Sequence, residues 1–304
     1  MMQLVLVVAC VLVGFFAPTS TRADVGSSFA ANRFGQLEIR VDDTGWGSVS
    51  SRDIESVLHS VADILMPRSS IRSPIRIRVS HTRGCPTLLY DRGPVGEYRM
   101  LLHAGRGARW YLYAYEFAHE FCHIISNYDS VGPDVARRNQ WFEEVLCETA
   151  SLYVLDRLGE RWRAASAGPL VAKHAAGLRA FRQKLDADNR MSFPEAGRID
   201  AWLREQQAGL RADPYQRDKN DLLARAILPL FLDEPDAWSS LEYMNLHIGD
   251  PLASLEEFFR NWHAAAPARH RHFIARLSRL LAGEAGIPDQ PATATAERYT
   301  TSER

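Results

Sequence analysis

The chain has 304 residues, 46% of them hydrophobic and 24% charged, which is enough to bury a substantial core. Its formal charge is -1, with Arg far outnumbering Lys, so it offers no broad basic field for phosphate backbones and no nucleic-acid partner is expected.

Met1 to Ala17 carries no charge, and the apolar stretch from Leu4 is shorter than a comfortable membrane span. Small residues follow at Thr21 and Ala23 ahead of Asp24, a pattern that predicts a secretory signal peptide over 1–23. The protein is then expected to be secreted or periplasmic, and a membrane enters only if this segment stays uncleaved.

Leu37, Ile39 and Val41 alternate with polar residues, as do Ile75, Ile77 and Val79, so both stretches read as half-buried strands. Between them Ile54, Val57, Val61 and Leu65 recur at helical spacing after a serine-rich start. Turn residues gather at Gly84-Cys85-Pro86 and Asp91-Arg92-Gly93-Pro94. A further strand is predicted over Tyr98 to His103, before the break at Gly105-Arg106-Gly107.

From about 108 to 127 the pattern turns helical. Tyr113, Phe117, Phe121 and Ile124 form an apolar stripe, and His119 and His123 project from the other side. Gly132-Pro133 marks a break, after which Asn139 is placed to cap a second helix running through Leu155. Beyond about 165 the strand signals vanish. Amphipathic helices are predicted over 169–187, 197–210, 217–233, 236–246, 252–264 and 268–283, and the segment after Gly286 reads as a tail.

The chemistry lies in His119-Glu120-Phe121-Cys122-His123 and Trp141-Phe142-Glu143-Glu144-Val145-Leu146-Cys147-Glu148. Two histidines four apart on a helix point the same way, so their imidazoles can share one zinc ion while Glu120 reaches a water beside it. Three protein ligands leave a position for water, whose pKa zinc lowers toward about 7, and Glu120 is placed to take its proton. Cys122 and Cys147 sit on the two helices that carry these groups. They read equally as a disulfide or as two buried thiols. Glu116, one turn before His119, reads equally as support for the site or as a surface carboxylate.

In these segments the chain resembles the gluzincin metallopeptidases, in which the His-Glu-x-x-His helix gives two zinc ligands and a glutamate on the next helix gives the third. The resemblance spans about 37 to 155 in pattern and is motif-specific at 119–123 and 141–148. It implies an α+β fold: a zincin-like catalytic domain over 24–165 with a small mixed sheet, an all-helical part over 166–285 that completes the cleft, and a tail over 286–304. It implies one Zn2+ held by His119, His123 and Glu144, the Glu of a Trp-x-x-Glu sequence, with Glu143 as the alternative. Glu148, one turn past Glu144, corresponds to an acidic residue that accepts a hydrogen bond from a ligand histidine in thermolysin-like relatives. Tyr215-Gln216-Arg217-Asp218-Lys219 is similar to the segment carrying the proton-donating tyrosine in aminopeptidase-like members, which makes Tyr215 the candidate for stabilising an oxyanion. His247 and Tyr243 are lesser candidates. The family's sheets bind extended peptides at an edge, the place expected here for Tyr98 to His103. The function so implied is an exported zinc metallopeptidase acting on a peptide or protein substrate. Its rival is a non-catalytic protein that keeps the zincin scaffold to bind a peptide or protein partner.

Overall fold

A computed structural model describes residues 37–66, 74–104, 107–164, 169–188, 191–193 and 198–287. The signal peptide expected over 1–23, the Gly105-Arg106 part of the break and all but the start of the tail lie outside them. No helix among the described residues is long and apolar enough to cross a membrane.

The protein is α+β, with a small mixed sheet and a majority of helix. It opens with β1 (Leu37–Val41), α1 (Ser51–Leu65) and β2 (Ile75–His81). In β1 the apolar residues are buried while Glu38 and Arg40 face out, as a period of two requires. The Ser50 side chain caps α1 by accepting the Asp53 N–H at 3.1 Å, and Ile54, Val57, Val61 and Leu65 form its buried face.

Two more strands follow, β3 (Thr87–Leu89) and β4 (Tyr98–Leu102), and the sheet order is β1-β2-β4-β3. β1, β2 and β4 run parallel, and β3 pairs antiparallel with β4. β4 is therefore interior, bonded on both sides. The edge expected for Tyr98 to His103 belongs instead to β3, because the hairpin that brings the chain back through β4 slots that strand against β2. Glu116 fastens the end of β4 to the next helix, accepting the backbone N–H groups of His103 and Ala104 at 2.8 Å each. It is buried, so it is not a surface carboxylate. Burial lifts its pKa to about 7 against the pull of those two N–H groups.

α2 (Trp110–Ile125) and α3 (Gln140–Ala164) form the centre of the molecule. The stripe of Tyr113, Phe117, Phe121 and Ile124 is buried, and so is the face carrying His119, Glu120 and His123. Each fully buried ring on this pair, such as Phe117, Phe121 or Phe142, contributes about 1.5–3 kcal/mol by leaving water. α3 runs past the expected end at Leu155 and contacts α1 and α2 on one side, α4 (Pro169–Asp188) and α6 (Arg217–Asp233) on the other. One buried apolar cluster runs from Leu37 to Leu281 through both halves. Asn139 does not cap α3 with its side chain: its amide donates to the Ala253 carbonyl at 3.0 Å, and Oδ1 has no partner among the described residues.

α5 (Ile199–Ala212), α7 (Leu255–Ala265) and α8 (Ala268–Ala282) complete the helical half. The α-helix expected over 236–246 is a 3-10 segment, Pro235–Tyr243. Pro235 opens it, and the Ser239 hydroxyl donates to the Asp236 carbonyl, so local side-chain bonding competes with the α-helical ladder.

Candidate metal centre

On α2 the rings of His119 and His123 stand one turn apart, edge to face, with centroids 5.3 Å from each other and planes inclined at 68°. α3 presents Glu144 to both. His119 Nε2 lies 3.2 Å from Glu144 Oε2, and His123 Nε2 lies 3.7 Å from Glu144 Oε1. Ligands placed about 2.0–2.1 Å from one tetrahedral cation stand roughly 3.3 Å from each other, so these separations suit a shared ion. All three side chains are buried. The two nitrogens of His123, Nδ1 of His119 and Oε1 of Glu144 have no hydrogen-bond partner among the described residues. Buried polar atoms nearly always find a partner, and a cation between the helices would satisfy several of these at once.

A fourth candidate donor, Cys147, lies one turn further along α3. One ligand atom each from His119, His123 and Cys147 lie within 4.8 Å of one another, all buried, and this group can hold a metal ion. In sequence Cys147 reads as a disulfide partner of Cys122 or as a buried thiol, and not as a metal donor. Both cysteines are free thiols. α2 packs on α3 and sets the two thiols near each other, with no bond joining their sulfurs. Burial first, then the neighbouring Cys122, raises the Cys147 pKa well above the ordinary thiol value.

Charge differentiates the two imidazoles. Burial favours the neutral form of His119, but the hydrogen bond and charge of Glu144, with Glu120 and Glu148 behind it, outweigh burial and raise its pKa. For His123, burial and the positive charges of His119 and Arg137 act together to push the pKa well below the usual imidazole range. In the neutral ring one nitrogen keeps a lone pair with which to bind a cation. Glu120 is fully buried, and burial lifts its pKa to about 8, with His119 pulling it down and Glu144 pushing it up. Neither oxygen of Glu120 makes a well-formed hydrogen bond among the described residues, although the Leu88 N–H on β3 lies near enough to lower its pKa. A divalent charge nearby would favour its ionised form.

The register on α3 separates the two adjacent glutamates. Glu143 turns away from the histidines into an ion pair with Arg137, whose Nη1 donates at 3.2 and 3.0 Å, and it accepts from Asn245 Nδ2 at 2.5 Å. Its oxygens are taken up by these partners. Glu148 also differs from expectation: it accepts the Tyr115 hydroxyl at 2.7 and 2.6 Å, and neither histidine Nδ1 reaches it. Tyr115 stands one turn before His119 on α2, so the acidic residue braces the helix that carries the ligands and not a ligand ring. Burial and the Glu148 charge hold that phenol protonated, far above its usual pKa.

Tyr215 does come to the site from the helical half. Tyr115, His119, Glu144, Glu148, Tyr215 and Arg217 line one pocket together with Asn220. The Tyr215 oxygen accepts from Gln140 Nε2 at 2.8 Å, and burial followed by the Glu144 charge raises its pKa, which keeps it a neutral donor. The lesser candidates lie elsewhere. His247 lines a separate cavity of about 330 Å3 with Arg137 and Glu143, and the Tyr243 ring stands 6.2 Å from that of His270.

A pair of asparagines sets the height of the centre. Two residues past the end of α2, Asn127 adopts φ of 57°, as does Asn245, in the left-handed region that asparagine tolerates better than most residues. Asn127 Nδ2 donates to the carbonyls of Glu242 and Met244 at 2.9 and 3.0 Å. Asn245 Nδ2 returns the contact, donating to the Ser126 carbonyl at 2.9 Å as well as to Glu143. Arg137, Asn245, Tyr115 and Arg217 were all missed in sequence. Tyr115, Arg217 and Asn245 meet their partners across helices or over a hundred residues of chain, and Arg137 reaches Glu143 from the loop just before α3, where no periodic pattern marks it. Set against known protein families, curated proteins and solved structures, the chain matches none.

Proposed function

We propose that the chain is an exported, zinc-dependent peptide-bond hydrolase with a gluzincin-like centre. The observation that carries this reading is the convergence of His119, His123 and Glu144 at 3.2 and 3.7 Å, with Glu120 next to His119 on the same helix and with His119 and Glu144 lining a pocket that Tyr215 also lines. Export rests on the sequence of residues 1–23, and zinc on the nitrogen and carboxylate donors, which suit that ion.

When bound, the ion would polarise a carbonyl and acidify water. His119, His123 and Glu144 would hold it from one side, leaving a corner toward the pocket. Glu120, with no well-formed hydrogen bond to give up, takes a proton from the attacking water and returns it to the leaving amine. Tyr215 offers its neutral hydroxyl to the oxygen that gains charge. β3, as the sheet edge nearest Glu120, offers backbone N–H and C=O groups to an extended substrate. Replacing Tyr215 with phenylalanine should lower kcat by roughly 10²- to 10³-fold with little change in KM, as loss of one oxyanion donor does. Steady-state kinetics on any cleaved peptide would check it, and an unchanged kcat would remove Tyr215 from the machinery.

The rival reading, a non-catalytic scaffold that binds a peptide or protein partner, is favoured by one feature: Cys147 stands where it can close the coordination sphere. Digestion of a peptide library by the purified full-length chain distinguishes the two. Cleavage that a chelator stops and zinc restores is expected. Bound metal without cleavage would favour the scaffold.

A further inference from the structure

Cys147 has no part in the hydrolytic scheme, yet it belongs to the same cluster. It follows Glu144 by three residues on α3, so both side chains share the face that α2 covers. Its donor atom and one from each histidine lie within 4.8 Å of one another, and all three residues are buried. A second observation also points to a ligand. Both nitrogens of His123 are buried and without a hydrogen-bond partner among the described residues, so the nearby thiol does not serve that ring as a donor.

We infer that Cys147 is a reserve ligand, and that the centre alternates between an open form built on Glu144 and a closed form in which the Cys147 sulfur takes a coordination position. The inference rests on the metal-binding reading above. Sulfur and nitrogen ligands of one tetrahedral ion stand about 3.5 Å apart, given bonds of roughly 2.3 and 2.0–2.1 Å, so drawing in a cluster that lies within 4.8 Å takes a shift of at most about 1.3 Å. On coordination the S–H bond breaks, its electron pair forms the sulfur–metal bond and its proton leaves to solvent. Two imidazoles, one carboxylate and one thiolate fill a tetrahedron, and no position for water remains. The ligand class follows from the donors: zinc, cobalt or cadmium, and not magnesium, calcium or manganese.

The test uses the full chain and Co2+ as probe. The wild type is expected to show the intense near-ultraviolet sulfur-to-cobalt charge-transfer band, Cys147→Ser to lose it, and Cys122→Ser to keep it. Cys147→Ser should also weaken Co2+ binding by about 10- to 100-fold, the range over which supporting groups of metal sites act. Cys147→Ala, which offers no new oxygen, should behave as the serine variant does. Tight Co2+ binding with no such band in the wild type, or a band that survives in both Cys147 variants, overturns the inference and leaves the hydrolase reading standing. Failure of the wild type to take up Co2+ or Zn2+ overturns both.

Discussion

Glu120→Gln is expected to lower peptide cleavage by roughly 10²- to 10⁴-fold, the usual contribution of a positioned general base, while bound metal stays at the wild-type level. The argument is local. Glu120 is fully buried one residue from His119, beside the pair that would hold the ion, and its oxygens make no well-formed hydrogen bond among the described residues. Glutamine has the same shape, so the packing between α2 and β3 is kept, and only the capacity to accept a proton is lost. Metal analysis and cleavage rates on the same preparations check both halves. A variant that cleaves at the wild-type rate would place the base elsewhere.

The second large effect separates two neighbours. Glu144→Ala should weaken metal binding on the order of a hundredfold or more, since even outer supporting groups cost about 10- to 100-fold. Glu143→Ala should keep the metal and cost stability instead. It would leave Arg137, whose side chain is 7% exposed, with a buried charge and no carboxylate, a change that costs about 3–5 kcal/mol in comparable pairs. Chemical denaturation together with metal titration reads the two outcomes independently. Loss of metal from the Glu143 variant with retention in the Glu144 variant would reverse the assignment of the third ligand.

The strands β1 and β2 and the helices α1 and α2 were legible because their residues repeat with periods of two and 3.6 over enough length to show. The histidine pair was legible for the same reason, since a spacing of four fixes a shared face. β3 was not, because three residues between turn signals carry no period. Its omission made Tyr98 to His103 look like an edge. Glu144 is favoured over Glu143 in sequence by the Trp-x-x-Glu register and, second, by counting to Glu148, but Glu148 holds Tyr115 and neither histidine. What separates the two glutamates is that Arg137 and Asn245 engage Glu143, and Asn245 lies over a hundred residues away. Cys147 was visible on the face of Glu144, but its distance to the histidines depends on how two helices pack, which a single helix pattern does not encode.

The asparagine clasp has a consequence for biosynthesis. Chains emerge from the ribosome amino end first, and early segments begin to fold before late ones exist. All the proposed metal donors lie before residue 149, yet the contacts to Ser126 and Glu143 that steady their two helices come from Asn245. A half-made polypeptide therefore carries every chemical group of the centre without the brace that aligns them. Alignment of the candidate centre thus waits for the last third of the chain.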